Sequence, residues 1–407
     1  MNRHIRFTAF ASGPDFARGT HQGTQVSHGT LVFGSPAGTL TYRDPFADSV
    51  PGVRTPGGRI GYEWAAWVSP QVEPGFGATS LIASWNASTP SDSWLAVEIR
   101  TSADGVAWSQ WYSLGRWAQT DAQIHPTSAP GQDDANARAR TDLLDARDPA
   151  GWSAYQLRVV LLRPLGSTSC PQVRLLGAMA SRLPRDLPAS RLPASPPGPG
   201  RGVELDLPAY SQQLHRGRYP HWDSGGGSWC SPTSTSMALG RWDRGPNAAD
   251  YTWVDDGPDP WIVHAARRVF DYAYRGAGNW AFNTAYAAGF GTTAFVTRLR
   301  SLAEAELFVA AGIPVVATLA FGEGELAGSG YATHGHLLVI AGFDERGDVI
   351  CHDPASHGVA DNREVRTVYD RAEFERLWLA ASGGVVYVIR PVDVPLPDPP
   401  EPEEPNW

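Results

Sequence analysis

Lysine is absent from the sequence, and all 33 basic residues are arginines. A guanidinium group stays protonated, so it can neither form a Schiff base nor act as a general base. The composition therefore excludes a Walker phosphate loop, a pyridoxal enzyme and a Ser-Lys dyad, which all require a lysine ammonium group. A Gly-x-Ser-x-Gly elbow is also missing, which argues against the corresponding serine hydrolases.

Cysteine is scarce as well. Cys170, Cys230 and Cys351 are too few and too widely spaced for a disulfide framework or a Cys-x-x-Cys zinc site. At least one of these thiols must be free unless the chain dimerises through it. No apolar run is long enough to span a bilayer, and no signal peptide is visible. The net charge of -9 and the lack of a dense basic run argue against a nucleic acid partner.

Proline-rich stretches divide the chain. Residues 183–202 are predicted to form an extended linker, because their prolines remove backbone donors. This linker separates a domain at residues 1–182 from a second domain at residues 203–390. Residues 391–407 are rich in proline and glutamate, and they are predicted to form a disordered tail.

The N-terminal domain contains short aromatic and β-branched runs between turn residues, which predicts an all-β sandwich or jelly roll. The predicted strands are Gly61–Ser69, Ser80–Asn86, Trp94–Ser102, Val106–Leu114, Tyr155–Arg163 and Gln172–Ala178. Asp104 and Gly105 indicate a hairpin turn with Gly105 at positive φ. Residues 1–32 are weakly patterned and predict an arm or a single strand.

This domain is also rich in tryptophan. The residues in question are Trp64, Trp67, Trp85, Trp94, Trp108, Trp111, Trp117 and Trp152. They could form a platform that stacks on sugar rings or grips a cell-surface partner. Packing in the core of the sandwich is the favoured interpretation for most of them.

In the C-terminal domain helices come first and strands follow, which predicts an α+β fold. The predicted helices are Cys230–Arg241, Pro260–Tyr274, Trp280–Ala288, Ser301–Ala311 and Arg371–Ala381. The predicted strands are Ile313–Phe321, His336–Phe343, Val349–Asp353, Glu364–Val368 and Val385–Arg390.

One cysteine stands where a glycine-rich loop meets a predicted helix. Cys230 follows the run Gly225-Gly-Gly-Ser-Trp, and Pro232 suits the first turn of a helix. The positive end of a helix favours a thiolate, and its free N–H groups can hold an oxyanion. A buried structural cysteine is the alternative interpretation.

A base and its orienting group follow later in the chain. His336 opens an apolar strand after a glycine-rich segment at residues 322–335, and Asp353 ends the next strand. Hairpin pairing would bring the Asp353 carboxylate beside His336, where it could accept the Nδ1–H and fix the tautomer. These residues suit nucleophilic acyl transfer, although His336 could also be a core or loop histidine.

A Gln before a glycine-rich loop, a Cys-x-Pro-x-Ser helix start, a His-x-x-x-Val-x-x-Gly-aromatic-Asp strand and an Asp-Pro strand end occur in this order. Residues 205–390 thereby resemble the bacteriocin-processing (double-glycine) cysteine peptidases and their standalone relatives. The resemblance implies a papain-like fold with Cys230 as nucleophile, His336 as general base and Asp353 as orienting carboxylate. It also implies a glutamine oxyanion donor, for which Gln212 is chosen and Gln213 held in reserve.

This chain departs from the family pattern in two places. Ser231 stands where the family commonly has Gly, and the segment at residues 213–227 is long and rich in His, Arg and aromatic residues. A rival interpretation uses nearby side chains as metal ligands, namely His334, His336, His352, Asp353 and His357 with Cys351. Alternate strand residues point to opposite faces, so His352 and Asp353 cannot both readily face one site. Neither a metal nor a cofactor is expected.

The sequence therefore predicts a multidomain cysteine hydrolase that cleaves a peptide or another amide through a thioester. Two alternatives remain open: a papain-like adhesion protein that has lost activity, and a transamidase or amidase with the same triad. The N-terminal domain would bind a carbohydrate or cell-surface ligand. A free catalytic thiol and a Trp-rich sandwich are compatible with secretion, so an extracellular or cell-envelope location is favoured.

Overall fold

The chain forms two compact units. The computed structural model describes residues 3–50, 57–129, 131–184 and 194–407. The first unit, called the β unit below, comprises Arg6–Arg182 and Phe270–Arg275. The second, called the α+β unit, comprises Met1–Ile5, Leu183–Val269 and Gly276–Trp407.

Two antiparallel sheets form the β unit. The elements of the N-terminal half are β1 His4–Phe10, α1 Gly13–Ala17, β2 Thr20–Gln22, β3 Thr24–Ser27, β4 Thr30–Phe33, β5 Gly38–Tyr42, β6 Ile60–Val68, β7 Ser80–Ser88, β8 Trp94–Ser102, β9 Tyr112–Trp117, β10 Ala137–Ala139, β11 Leu144–Ala146, β12 Ala154–Pro164 and β13 Gln172–Arg182. One sheet has the order β10-β11-β7-β13-β4-β3 with β1 beside β13, and the other has β2-β6-β12-β8-β9 with β5 beside β6. The predicted all-β class is confirmed.

The core of this unit follows the two-residue period of its strands. Leu157, Val159 and Leu161 of β12 are buried, and the residues between them, Arg158 and Val160, are partly exposed. Five of the tryptophans are buried as well: Trp67, Trp85, Trp94, Trp117 and Trp152. Trp64, Trp108 and Trp111 are partly exposed. Most of the tryptophans thus pack inside, and a carbohydrate ligand stays a prediction.

Two stretches of the β unit differ from the sequence-based expectation. Residues 4–33 contain four strands and a short helix instead of an arm or one strand, because such short strands give little hydrophobic alternation. The strand expected from Val106 begins only at Tyr112. The reason is the Asp104 turn, in which Oδ1 accepts the N–H groups of Val106 and Ala107, both at 2.8 Å. Gly105 has φ 75° there, as predicted.

The segment Phe270–Arg275 belongs to the β unit although a helix was expected to continue through it to Tyr274. Asp271 Oδ1 accepts the N–H groups of Ala273 at 3.1 Å and Tyr274 at 3.2 Å, which replaces helical bonding with a turn. The same oxygen accepts the Ser128 N–H at 3.0 Å. The Tyr272 ring lies 4.1 Å from the ring of buried His125, measured between centroids.

The α+β unit carries the predicted helices and an antiparallel sheet. Its elements are α2 Cys230–Gly240, α3 Pro260–Val269, α4 Trp280–Ala288, β14 Thr292–Arg298, α5 Leu302–Ala310, β15 Val315–Phe321, β16 Thr333–Phe343, β17 Val349–His352, β18 Arg366–Tyr369, α6 Arg371–Ser382 and β19 Val385–Pro391. The sheet order is β14-β19-β15-β16-β17-β18. The α+β class is confirmed. Strand β14 was not predicted, because it is buried along most of its length and shows no polar alternation.

The described part of the predicted linker is packed within the α+β unit. Residues 185–193 lie outside the described residues. Farther on, the buried Glu306 accepts the N–H groups of Gly198 at 2.6 Å and Gly200 at 3.0 Å. Arg371 Nε donates to the carbonyl of Ser195 at 2.6 Å. Residues 194–202 therefore differ from a free spacer, because buried charged side chains satisfy their backbone groups.

The acidic C-terminal segment is packed within the same unit, so the prediction of a disordered tail is wrong at its end. Asn406 is fully buried, and its Nδ2 donates to Arg298 O and Glu304 Oε2, both at 2.8 Å. Arg300 donates to Asn406 Oδ1 at 2.7 Å. Composition alone suggested disorder, whereas one buried amide with three partners anchors the segment.

We expect Asn406→Ala to lower the free energy of unfolding by about 1–3 kcal/mol, because buried partners of the amide lose their hydrogen bonds. Urea unfolding followed by tryptophan fluorescence measures this change. Glu401→Ala is the matched control, because Glu401 lies in the same segment with a side chain 57% exposed. It should change stability by less than about 0.5 kcal/mol. Equal effects of the two substitutions would contradict an anchoring role for Asn406.

Within the described ranges, no helix is long and apolar enough to cross a membrane.

Candidate active site

Helix α2 starts at Cys230 and is fixed by hydroxyl groups that point into the unit. Residues Ser231 to Leu239 are all buried. Ser231 Oγ lies 2.9 Å from Tyr387 Oη of β19, and Ser234 Oγ donates to the Leu337 carbonyl of β16 at 3.1 Å. The serines thus satisfy their hydroxyls while holding the start of α2 against β16. The Cys230 side chain is partly exposed at this helix start.

His336 lies on β16, one residue before Leu337, and pairs with Leu319 of β15. Its side chain is buried, and ring Nε2 lies 2.7 Å from Asp353 Oδ1. The Cys230 thiol is close enough to the same ring to contribute to its pKa shift. The expectation that Asp353 meets Nδ1 is therefore wrong. Because Nε2 faces the carboxylate, Nδ1 is the nitrogen left for Cys230.

Asp353 follows directly after β17 and accepts four hydrogen bonds. Oδ1 accepts from His336 Nε2 at 2.7 Å and from the Ala355 N–H at 2.9 Å. Oδ2 accepts from the phenols of Tyr331 and Tyr369, both at 2.7 Å. These bonds occupy the acceptor positions of an ionised carboxylate. Neither tyrosine was among the residues that the sequence singled out.

The charges of this pair reinforce each other. Burial disfavours a charged His336, but the negative charge of Asp353, their hydrogen bond and the contact with Cys230 outweigh burial and raise the pKa of His336. Burial likewise opposes a charged Asp353, but the charge of His336 and the bonds from His336, Tyr331 and Tyr369 hold the Asp353 pKa well below its usual range. Both shifts favour the charged forms of His336 and Asp353.

The sign of each shift defines the pH window of the pair. A raised His336 pKa stabilises the fold below the ordinary imidazole value, and this contribution is lost as pH rises through the raised value. A lowered Asp353 pKa stabilises the fold above the ordinary carboxyl value, and this contribution is lost as pH falls through the lowered value. Across the range between these limits the ion pair persists.

Gln212 lies in a single 3₁₀ turn, Gln212–His215, and is buried. Its N–H donates to the Pro354 carbonyl at 2.8 Å, which places the turn beside the residues that follow Asp353. Side-chain Nε2 donates to the Gly227 carbonyl at 2.7 Å, in the loop that leads to Cys230. Gln213, the reserve candidate, is engaged elsewhere, since its Oε1 accepts from Arg216 Nε at 3.1 Å.

The residues of the rival metal site are used in other contacts. His352 Nδ1 lies 3.0 Å from the Pro208 carbonyl. His357 Nδ1 lies 3.1 Å from the Ser329 carbonyl, and its Nε2 lies 3.0 Å from Thr367 Oγ1. Cys351 is fully buried. In the part of the chain that the structure describes, no group of three or more His, Cys, Asp or Glu side chains could hold a metal ion.

Two family models match this chain. Residues 204–386 match the Peptidase C39 like family, and residues 6–181 match the Peptidase C39 N-terminal domain. No curated protein matches the chain. Among solved structures the chain is similar to the kappa-carrageenase from Pseudoalteromonas carrageenovora, in complex with an oligotetrasaccharide of kappa-carrageenan. That similarity has 10% identity and a TM-score of 0.23, and covers 44% of this chain and 96% of that chain.

The chain belongs to the peptidase C39-like family and carries a peptidase C39 N-terminal domain. The resemblance to the bacteriocin-processing cysteine peptidases is thereby confirmed. Membership in this family implies a cysteine peptidase with a peptide substrate.

Proposed function

We propose that the chain hydrolyses a peptide bond through a thioester on Cys230, with His336 as acid and base and Asp353 as the carboxylate that orients His336. The observation that carries this proposal is the buried 2.7 Å bond between His336 Nε2 and Asp353 Oδ1. The Cys230 thiol also influences the pKa of the same ring. A nucleophile, a base and an orienting group arranged in series are what acyl transfer requires.

The reaction divides into two halves. The Cys230 thiolate attacks the carbonyl carbon, and the imidazolium of His336 gives its proton to the leaving amine as the C–N bond breaks. A thioester remains on Cys230. His336, now neutral, takes a proton from water, and the resulting hydroxide attacks the thioester carbonyl. The acid product leaves, and the thiolate and imidazolium are restored.

Both halves pass through a tetrahedral oxyanion, which needs donors near the nucleophile. The first N–H groups of α2 are free of intrahelical bonds and lie at the positive end of the helix. Gln212 Nε2 has two hydrogens, of which one reaches Gly227 O at 2.7 Å. We assign its second hydrogen to the oxyanion.

The first test is thiol reactivity. Cys170 and Cys230 are both partly exposed, whereas Cys351 is buried. Accessibility alone would thus give Cys170 and Cys230 similar rates. We expect iodoacetamide at about pH 6.5 to alkylate Cys230 at least about tenfold faster than Cys170, because only about 1% of an ordinary thiol is ionised there. Peptide mass spectrometry of timed samples gives both rates.

Two controls make this test decisive. His336→Gln should reduce the Cys230 rate toward that of Cys170, because a neutral amide cannot stabilise a thiolate as an imidazolium does. Labelling of buried Cys351 reports loss of the fold. Equal Cys170 and Cys230 rates in the wild-type protein would contradict the proposal and favour an adhesion protein without activity.

The choice between hydrolysis and transamidation concerns the second acceptor. Both reactions share the thioester, so product analysis must separate them. We expect a peptide cleaved by the wild-type chain, and left intact by Cys230→Ala, to yield a free carboxylate even with an added primary amine such as glycine amide. Predominant transfer to that amine would instead favour the transamidase.

A further inference from the structure

Two phenols hold one oxygen of the carboxylate that faces His336. Tyr331 precedes β16, and Tyr369 ends β18, so the two hydroxyls reach Asp353 Oδ2 from different elements. Both donor distances are 2.7 Å. Tyr369 is fully buried, and the Tyr331 ring also lies edge-on to the His336 ring at 5.4 Å between centroids. A carboxylate that only orients an imidazole needs one oxygen, so this second pair of bonds requires a separate explanation.

We propose that Tyr331 and Tyr369 are positioning residues that keep Asp353 ionised, so that the His336–Asp353 pair and the reactivity of Cys230 persist under acidic conditions. The inference rests on the proposed function, since it assigns these residues a role in the same site. A hydrogen bond to a charged acceptor is stronger than one between neutral groups. Each phenol therefore stabilises the anion more than the neutral acid.

Among the described residues, few other side chains lie where they could stabilise the Asp353 anion. The titratable side chains that face it are His336 from β16, Cys351 from β17, Tyr331 and Tyr369, with Cys230 of α2 beyond the imidazole. Burial and the charge of Asp353 raise the pKa of Cys351, so that thiol stays neutral. Burial and the same charge raise the pKa values of both phenols, which therefore remain donors.

The sign of the effect follows from linkage. Burial alone would raise the Asp353 pKa, and the donors, among them Tyr331 and Tyr369, lower it. Removing a donor must move the pKa of Asp353 up. Once Asp353 takes a proton, the imidazolium loses its partner and the thiolate on Cys230 loses support. Acid inactivation should then begin at a higher pH.

The experiment compares Tyr331→Phe, Tyr369→Phe and the double variant, which remove only hydroxyl groups. Titration of the Asp353 side-chain carboxyl by ¹³C NMR is expected to shift up by about one pH unit in each single variant and by about two in the double. The acid half-point of Cys230 alkylation is the pH at which acid has reduced the alkylation rate to half. This pH should rise by roughly one unit in the double variant. The loss of rate relative to the wild-type protein should be larger at acid pH than above neutral pH.

A matched control is Tyr286→Phe, which removes another buried phenol, on helix α4 and 3.0 Å from His264 Nδ1. It should leave both titrations unchanged. The two single variants also control each other, because they share an acceptor atom and a distance. An ionisation role predicts equal shifts, whereas a purely structural role predicts a loss of reactivity at every pH.

The outcomes separate the inference from the proposed function. If wild-type Cys230 reacts no faster than Cys170, the proposed function fails and the inference fails with it. If wild-type Cys230 does react faster than Cys170 but the double variant keeps the wild-type acid half-point, only the inference is overturned. A carboxyl shift without any change in alkylation also overturns it, since the phenols would then not set the acid limit of the site.

Discussion

Asp353→Ala is expected to lower turnover of a cleaved peptide by about 10³-fold or more, and Asp353→Asn by only about 10–100-fold. The two variants differ in what they leave around His336. Alanine removes the acceptor from four donors that the structure places on this carboxylate. Asparagine keeps one oxygen and loses the charge. Steady-state kcat and KM on a peptide that Cys230→Ala leaves intact provide the measurement.

The orientation of the asparagine can be derived from the donors. On the Oδ1 side, the Ala355 backbone N–H at 2.9 Å cannot become an acceptor, so the amide oxygen must face that side. The same oxygen then still accepts from His336 Nε2. On the Oδ2 side, the phenols of Tyr331 and Tyr369 can rotate and accept from the amide nitrogen. The ring keeps its tautomer, and the loss is confined to charge.

Stability provides the control for this comparison. Asp353→Ala leaves buried donors without an acceptor and should reduce the free energy of unfolding by about 3 kcal/mol. Asp353→Asn should reduce the free energy of unfolding by clearly less than Asp353→Ala does. Full activity of a folded Asp353→Ala variant would remove Asp353 from the mechanism. Equal losses of turnover in the two variants would show that charge, and not orientation, is the contribution of Asp353.

Local sequence patterns singled out Cys230, His336 and Asp353 as candidates, and the structure pairs His336 with Asp353. Cys230 stands at a glycine-rich loop before a helix, and α2 begins there. His336 and Asp353 stand at the ends of adjacent apolar runs, and the pairing of Val339 with His352 fixes their distance. These features follow from hydrophobic periodicity and from the pairing expected of consecutive strands, and both can be inferred from a sequence.

The sequence could not predict which nitrogen of His336 faces Asp353, nor that Tyr331 and Tyr369 donate to that carboxylate. Spacing shows that His336 and Asp353 are neighbours, but rotation of the imidazole about its side-chain bonds decides whether Nδ1 or Nε2 faces the carboxylate. Tyr331 precedes β16 and Tyr369 ends the edge strand β18. Tertiary packing brings both hydroxyls to Asp353 Oδ2, and no periodic pattern in the sequence indicates that contact.

The errors elsewhere have related causes. Proline and glutamate content predicted disorder at the C-terminus, but Asn406 is buried with three polar partners. Hydrophobic periodicity predicted one long helix through Tyr274, but the Asp271 side chain bonds to the backbone and closes a turn. In both places one polar side chain outweighs the average character of its segment.

Gln212→Ala is expected to lower kcat by about 10²–10³-fold, the usual effect of removing one oxyanion donor. Gln213→Ala is the matched control, because that side chain accepts from Arg216 and should leave kcat near the wild-type value. Gln212 also holds the Gly227 carbonyl at 2.7 Å, so a loss of activity alone could arise from a displaced loop before Cys230.

Alkylation by iodoacetamide separates the oxyanion role of Gln212 from its role in holding the loop. The thiolate displaces iodide at the methylene carbon of iodoacetamide, and this reaction forms no tetrahedral oxyanion. If Gln212 acts on the oxyanion, Gln212→Ala should lose amide turnover while Cys230 is still alkylated at close to the wild-type rate. If Gln212 only anchors the loop, turnover and alkylation should fall together. Unchanged kcat in Gln212→Ala, or a large loss in Gln213→Ala, would contradict the assignment and leave the N–H groups of α2 as the donors.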